Sequence, residues 1–138
     1  MRQIAVLPYR TAGGAGEASP MILLITSRET RRWIVPKGNP MKGLAPHEAA
    51  AVEAKEEAGV VGEIRPTALG SYRYLKRRGS GASVWAVVDV FPLAVTEELR
   101  TWDEQHERER RWFSPAEAAD AVDEPDLAAL IREFGDCE

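Results

Sequence analysis

Apolar residues occur along this chain in short runs that Gly, Pro and charged residues separate. Residues 3–8, 21–26 and 31–36 have the length and composition of β-strands, and a Gly-rich loop lies between the first two. Residues 68–75 and 83–90 predict two further strands. The KRRGSGA segment between them, with two glycines among basic residues, is typical of a hairpin turn.

A helix is predicted from Pro46 to Gly59. Pro46 suits the first helical position, where its missing N–H costs nothing. The run HEAAAVEAKEEA that follows is dominated by strong helix formers. Gly59 is the residue type that commonly closes a helix in the left-handed conformation.

The last part of the chain predicts a strand followed by helices. RRWF has strand character, and Ser114, Pro115 and Glu117 form a capping-box pattern at a helix start. Apolar residues then recur at helical spacing between 126 and 134, which indicates a helix packed on the core. Strands before, between and after helices predict one mixed α/β domain over residues 1–138.

Composition narrows the class of protein. The chain has 138 residues, 44% of them hydrophobic, and a net charge of −4. That charge argues against stable nucleic-acid binding, which usually needs a basic surface. The sequence has no apolar run that could span a membrane or act as a secretory signal, and Cys137 is its single cysteine. These features predict a soluble cytoplasmic protein without membrane partners.

Three carboxylates near the end of the predicted helix are the first candidate for chemistry. Glu53, Glu56 and Glu57 fall on one helical face, and Ala49 and Ala50 point the same way from the turn above. The carboxylates repel one another and lie at the negative end of the helix dipole. A hard divalent ion such as Mg²⁺ would remove both penalties. On the carboxylates alone, however, a solvated helix face is the favoured interpretation.

Basic residues are concentrated in two groups. One precedes the carboxylate helix and the other lies in the predicted hairpin; the members are Arg28, Arg31, Arg32, Lys37 and Lys42, and Arg73, Lys76, Arg77 and Arg78. Each group is explained by a solvated surface. Beside an acidic metal site, they would instead suit a substrate that carries more negative charge than one metal neutralises.

The run from Gly38 to Val60 resembles the Nudix box, G-x5-E-x7-R-E-[aliphatic]-x-E-E-x-G-[aliphatic]. Gly38 matches the first glycine, and the second half is matched at the family spacing by Glu53, Ala54, Glu56, Glu57, Gly59 and Val60. The resemblance implies a Nudix-type α/β/α sandwich with a mixed β-sheet, in which the box forms a loop–helix–loop. With this resemblance, a metal-binding face becomes the favoured interpretation of Glu53, Glu56 and Glu57, ahead of a solvated helix face.

Two positions depart from the box. Its first glutamate falls on Leu44 and its arginine falls on Val52. In the family those two charges are expected to contact each other. Replacing both partners by apolar side chains can be close to neutral, so we interpret the pair as a structural substitution.

The resemblance also implies roles for individual residues. Glu53, Glu56 and Glu57 would be catalytic and would bind Mg²⁺, or Mn²⁺, together with the carbonyl of Gly38. Glu53 would either bind a second ion or accept the proton of the attacking water. The alternative acceptors lie outside the box; they are Glu104, Glu107 and Glu109. The substrate-binding residues would be Arg2, Ser27, Arg28, Lys37, Arg77, Arg78 and Arg110.

Segments outside the box indicate a branch of the family. ILLITSRETRRWIVPKG and ERERRWFSPAEAADAV resemble the diphosphoinositol polyphosphate and diadenosine polyphosphate hydrolases. This implies metal-dependent cleavage of a phosphoanhydride linkage. An ADP-ribose or nucleotide-sugar pyrophosphatase, and a non-catalytic nucleotide or polyphosphate sensor, remain alternatives. The exact substrate and the oligomeric state stay open, although many family members form homodimers.

The aromatic and imidazole side chains add little to this assignment. Trp33 and Trp85 lie on predicted strands and are expected in the core rather than stacked on a base. His47 and His106 have no partner at metal-binding spacing and are expected at the surface.

Overall fold

A computed structural model describes residues 1–11, 20–77, 79 and 81–137 of the chain. The strands, numbered in chain order, are β1 (Arg2–Arg10), β2 (Met21–Thr26), β3 (Trp33–Ile34), β4 (Lys37–Gly38), β5 (Val60–Ile64), β6 (Gly70–Arg77), β7 (Ser83–Glu98) and β8 (Arg110–Phe113). The helices are α1 (Pro46–Glu53), which continues as a π-helical turn (Ala54–Ala58), α2 (Pro115–Ala121) and α3 (Pro125–Cys137). No helix in these ranges is long and apolar enough to cross a membrane.

One mixed sheet organises the molecule around the long strand β7. On one edge β7 pairs in parallel with β1, in the register Arg2 to Val87. On its other edge β6 and β5 pair antiparallel, one after the other along its length. β2 joins β1, and β8 and β3 join β2. The predicted mixed sheet is confirmed.

Helices cover both faces of this sheet because residues alternate between the faces along each strand. Ala5 and Leu7 of β1 pack with α2 and α3, whereas Ile4 and Val6 pack with α1. The predicted α/β/α sandwich is confirmed. Helix α1 and its π-helical turn press their small residues against the sheet, and four of these are fully buried: Ala49, Ala50, Ala54 and Ala58. The prediction that Ala49 and Ala50 share the open face of the carboxylates is wrong, because both are fully buried.

Most predicted elements are present, but several bounds differ. β7 extends to Glu98, β3 contains two residues, and β5 was not predicted. The capping box at Ser114 is confirmed by its hydrogen bond from the Glu117 N–H. Trp33 packs edge-on against Phe113, with ring centroids 5.0 Å apart. The expectation that Trp85 lies in the core is wrong, because Trp85 is 54% exposed.

Candidate active site

Helix α1 ends at Glu53 and continues as a π-helical turn that contains Glu56 and Glu57. Gly59 closes this turn with a φ of 66°, as its residue type predicted. Single π-helical turns are frequent at functional sites. Here the side chains of Glu53 and Glu57 lie close enough that each shifts the pKa of the other. Glu56 lines an adjoining cleft of about 390 Å³, and its charge contributes to the raised pKa of Glu53.

The carboxylates of Glu53 and Glu57 lie where the helix contacts the box loop. Glu57 is only 8% exposed, and its Oε1 accepts a hydrogen bond of 3.3 Å from the Lys37 N–H. The Glu53 carboxylate lies directly against Gly38, where any side chain would collide with it. The loop is thus fixed to the helix without the charged pair that the family places at the positions of Leu44 and Val52. Leu44 itself is largely exposed.

Burial makes this pair difficult to ionise. It raises the pKa of Glu57 to about 8; the guanidinium of Arg108 opposes this shift, and the neighbouring Glu53 adds to it. The pKa of Glu53 is also raised, again mainly by burial. A buried carboxylate beside a half-buried one carries its full charge at neutral pH only when a cation compensates the pair.

Oxygen donors of this kind fit a hard divalent cation. Glu53 and Glu57 are the residues that would hold it. No group of three His, Cys, Asp or Glu side chains in the described ranges forms a complete ligand set. Water, backbone and substrate oxygens would therefore supply the remaining ligands, as is common for Mg²⁺.

Replacing Gly38 with Ala is expected to weaken divalent-ion binding by more than tenfold, because the added methyl group displaces the Glu53 carboxylate. The overall fold should survive, since the collision is with the end of a flexible side chain. Calorimetric titration with Mg²⁺, alongside thermal unfolding, measures both effects. Gly79→Ala is the matched control, because an added methyl group there meets open space. Equal Mg²⁺ affinity in the two variants would contradict the placement of Glu53 at the ion.

The stability of the metal-free protein is expected to fall as pH rises. Glu57 keeps its proton up to about pH 8 in the folded chain, whereas an unfolded glutamate loses it near pH 4.5. Between these values the folded state binds more protons, so the unfolding free energy decreases, on the order of 3 kcal/mol from pH 5 to pH 8. Urea unfolding in chelator at several pH values measures this slope. Mg²⁺ should restore stability at pH 8, and Glu57→Gln should flatten the slope; a slope of opposite sign would exclude a protonated Glu57.

The segment of residues 99–110 covers the end of the carboxylate helix. The four backbone carbonyls of residues 56–59, which a helix end leaves unpaired, all accept hydrogen bonds from it, at 2.7 to 3.2 Å. The donors are the backbone N–H groups of Leu99 and Glu104, the indole of Trp102 and the guanidinium of Arg110. The same segment therefore caps the helix and presents its own charged side chains to the carboxylates.

Arg110 does not extend a substrate surface, contrary to the prediction from the resemblance. Its guanidinium donates to the carbonyls of Ala58, Gly59 and Leu99 and stacks 4.0 Å from the centre of the Trp102 ring. Burial lowers its pKa. Its donors are directed at the protein's own backbone, so Arg110 is a structural residue of the site.

Arg108 is a site residue that the sequence analysis missed. Its side chain is 7% exposed, and its Nε donates to Oε1 of Glu104 at 2.7 Å. Its guanidinium also lies 3.9 Å from the Glu57 carboxylate. The spacing of four between Glu104 and Arg108 was a weak signal, because the segment has no helical pattern to support it.

Glu104 is the loop glutamate that the structure brings to the carboxylate pair. Its charge raises the pKa of both Glu53 and Glu57. Glu107 instead forms an ion pair with Arg28 at 3.2 Å, and Glu109 is exposed. Of the three predicted alternative acceptors, Glu104 is therefore the best placed.

A basic groove of about 380 Å³ adjoins Glu57 through Lys37 and Arg108. Four of the predicted substrate-binding residues line it: Ser27, Arg28, Lys37 and Arg77. Arg32 and Lys76, which belong to the two predicted basic groups, line it as well, and so does Arg108, which was not predicted. Arg2 does not line the groove, because its guanidinium forms two hydrogen bonds of 3.1 Å with Asp89. The prediction for Arg78 falls outside the described residues.

Three cations of the groove have no carboxylate partner among the residues that the structure describes. Arg28, Arg32 and Arg108 have carboxylate partners, namely Glu107, Glu124 and Glu104. Across the ranges that the structure describes, Lys37, Lys76 and Arg77 form no ion pair. The Lys37 ammonium lies 4.9 Å over the Tyr74 ring, and burial lowers its pKa, partly offset by Glu57. The groove therefore presents uncompensated positive charge next to a site suited to a divalent ion.

The α/β/α sandwich and the glutamates of its loop–helix–loop place the chain in the class of proteins with a Nudix-type fold. Comparison with known proteins then gives the family. The NUDIX domain family matches residues 1–134, so the chain belongs to the Nudix family. Over 122 residues the chain is 35% identical to Nudix hydrolase 18, mitochondrial, of Arabidopsis thaliana, covering 86% of this chain and 66% of that protein. It is also 35% identical over 100 residues to diphosphoinositol polyphosphate phosphohydrolase 3-alpha of Mus musculus, covering 71% of this chain and 57% of that protein. The chain thus spans two thirds or less of these relatives' length.

Solved structures share the fold at low sequence identity. The dihydroneopterin triphosphate pyrophosphohydrolase of E. coli superimposes with a TM-score of 0.73 at 18% identity, covering 99% of this chain and 96% of the other. The Ap4A hydrolase of C. elegans superimposes with a TM-score of 0.67 at 20% identity, covering 96% and 93%. The NUDIX domain of Shewanella oneidensis NrtR, complexed with ADP ribose, gives 0.68 at 14% identity, covering 96% and 86%. These likenesses confirm the predicted fold.

Proposed function

We propose that this chain is a divalent-metal-dependent hydrolase that cleaves a phosphoanhydride linkage in a polyphosphorylated or nucleoside diphosphate-linked substrate. The observation that carries the proposal is that Lys37 and Arg108, which line the basic groove, lie directly beside the Glu57 carboxylate. A metal site alone would serve many reactions. A metal site that opens onto excess positive charge favours a substrate with several phosphates.

Each residue of the site has a separate task in this reaction. A bound Mg²⁺ or Mn²⁺ would withdraw charge from the phosphoryl oxygens and lower the pKa of the attacking water. Glu53 and Glu57 would hold the ion, and Glu56 would contribute negative charge from the adjoining cleft. Glu104 accepts the proton of the water, and its ion pair with Arg108 fixes its orientation. Lys37, Lys76 and Arg77 bind the phosphate oxygens and so orient the linkage.

Removing a groove cation is expected to raise KM without a comparable loss of kcat. Arg77→Ala and Lys76→Ala should each raise KM about tenfold, because each removes a charge-assisted hydrogen bond to a phosphate. Arg73→Ala is the matched control, since Arg73 lies on the same strand but stacks on Trp85, 5.0 Å from its ring centre, and does not line the groove. Steady-state kinetics at saturating Mg²⁺ distinguish the variants. Equal KM values for all three would show that phosphates bind elsewhere.

The second candidate is a binding protein that senses a nucleotide or polyphosphate without cleaving it. The replacement of the box charges by Leu44 and Val52 is the observation that favours it. The box loop is nevertheless fixed to the helix by the contact of Gly38 with Glu53 and by the hydrogen bond from the Lys37 N–H. Loss of the charged pair therefore does not release the loop, which supports the hydrolase.

The decisive experiment is a hydrolysis assay over a panel of substrates with Mg²⁺ and with chelator. The panel contains diadenosine polyphosphates, diphosphoinositol polyphosphates, ADP-ribose and nucleotide sugars. Cleavage that requires Mg²⁺ supports the hydrolase, and the substrate with the highest kcat/KM gives its branch. The relatives named above favour the first two classes. Tight binding of a panel member without cleavage would establish the sensor instead.

Two expectations from the sequence remain predictions. The cytoplasmic location is one, and the choice between monomer and homodimer is the other. Fractionation of cells that produce the tagged chain tests the first, and light scattering of the purified chain tests the second.

A further inference from the structure

The side chains of Trp102 and Arg110 hold the backbone of the residues that carry the metal-facing carboxylates. The Trp102 indole donates to the carbonyl of Glu57 at 3.2 Å, so it is bonded to the main chain of a metal-holding residue. Arg110 donates to the next two carbonyls, those of Ala58 and Gly59. A positive guanidinium at this helix end also interacts favourably with the helix dipole.

The space for this arrangement exists because residue 59 is glycine. A side chain at Gly59 would collide with the Trp102 ring and with the Arg110 guanidinium. The two side chains also stack on each other, at 4.0 Å. Trp102, Arg110 and the helix end therefore form one packed unit, which we call the helix clamp.

Trp102 and Arg110 belong to the same segment as Glu104 and Arg108, and the Arg108 guanidinium lies 3.9 Å from the Glu57 carboxylate. The Glu104 N–H donates to the Glu56 carbonyl, and Arg108 donates to the Glu104 carboxylate. Docking of the segment thus positions the helix backbone and the proton acceptor together. The affinity for any ligand that depends on the placement of Glu57 should therefore depend on whether the segment is docked. By thermodynamic linkage, the bound ligand should in turn favour the docked segment.

We propose that Trp102 and Arg110 are positioning residues that couple docking of residues 99–110 to divalent-ion binding at Glu53 and Glu57. The proposal rests on the proposed metal-dependent function. It predicts that loosening the clamp weakens ion binding, although the two side chains bond to the backbone of residues 57–59 rather than to the carboxylates of Glu53 and Glu57. It also predicts that the ion slows the opening of the segment.

The test uses Trp102→Phe in the full chain, with Trp112→Phe as the matched control. Trp112 also donates its indole N–H to an acceptor, Glu98 at 3.2 Å, and also carries a stacked guanidinium, that of Arg10 at 4.2 Å. Both variants therefore lose the same kinds of interaction, but only Trp102 is bonded to the carboxylate helix. Arg110→Lys is a second variant that keeps the charge and is expected to retain fewer of the carbonyl contacts.

The first readout is Mn²⁺ binding to metal-depleted protein, measured by electron paramagnetic resonance of the free ion. We expect the dissociation constant to rise about fivefold to tenfold in Trp102→Phe and Arg110→Lys, and to stay within twofold of wild type in Trp112→Phe. The second readout is hydrogen exchange of the Leu99 and Glu104 amides. Mg²⁺ should slow their exchange in the wild type and less so in Trp102→Phe.

Each outcome has a distinct meaning. Unchanged Mn²⁺ affinity in both Trp102→Phe and Arg110→Lys would overturn the coupling and leave the hydrolase proposal intact. Equal weakening in Trp102→Phe and Trp112→Phe would also overturn it, because the effect would then follow general stability. Absence of Mn²⁺ binding in the wild type would instead reject the metal-dependent function, and the coupling with it.

Discussion

Glu57→Gln is expected to reduce Mg²⁺-dependent hydrolysis by more than about 100-fold. Loss of a residue that only supports a metal ligand costs about 10- to 100-fold, and Glu57 is proposed to hold the ion itself. The folded chain should not suffer from this change. An amide cannot ionise, so it avoids the burial cost that raises the pKa of Glu57 to about 8. The metal-free variant should therefore be at least as stable as wild type at pH 8.

Two measurements separate this expectation from a general defect. The initial rate on the best panel substrate gives the catalytic loss, and urea unfolding in chelator gives the stability. Glu63→Gln, at an exposed position of β5, is the control and should change neither quantity. If Glu57→Gln retained more than a tenth of the wild-type rate, Glu57 could not hold the essential ion.

Glu104→Gln is expected to lower kcat by about 100-fold with little change in metal affinity. General bases contribute about 10² to 10⁴ in rate, and Glu104 is the loop glutamate whose charge is felt by both Glu53 and Glu57. The variant also weakens the ion pair with Arg108, whose side chain is almost fully buried. We therefore expect a moderate loss of thermal stability as well.

Kinetics over a range of pH, combined with Mn²⁺ titration, identify the role of Glu104. Loss of a base should remove the rise of kcat on the acid side of its pH profile. Glu109→Gln provides the comparison, since Glu109 is exposed in the same segment. A normal kcat in Glu104→Gln would return the role of proton acceptor to Glu53.

The regular parts of the fold could be predicted because local chemistry determines them. Pro46 and Gly59 delimit the carboxylate helix, and Ser114 begins α2 through its own side chain. Strand β5 was missed because Gly62 and Glu63 interrupt its apolar pattern, and its pairing with β7 stabilises it from outside. Trp85 was misplaced because strand periodicity gives the face of a sheet but not whether another element covers that face.

The site was predicted in part for a similar reason. The spacing of Glu53 and Glu57 predicted the carboxylate pair, since both lie on one short segment. Arg108 and Trp102 reach this pair from a segment about fifty residues later in the chain, and no local pattern marks them. The π-helical turn was also beyond local prediction, because strong helix formers such as those at 54–58 favour a regular α-helix.

The pairing of β1 with β7 has a consequence for how the chain folds. Arg2 lies opposite Val87, and Ile22 of β2 lies opposite Phe113 of β8. Strands β1 and β2 therefore cannot complete their pairing until strands much later in the chain have been synthesised. Contacts so distant in sequence slow folding, because a long loop must close before they form. The carboxylate helix can form early from its own sequence, but the residues that cap it follow β7. A nascent chain therefore acquires the geometry that we propose for metal binding only after residues 99–110 have been synthesised.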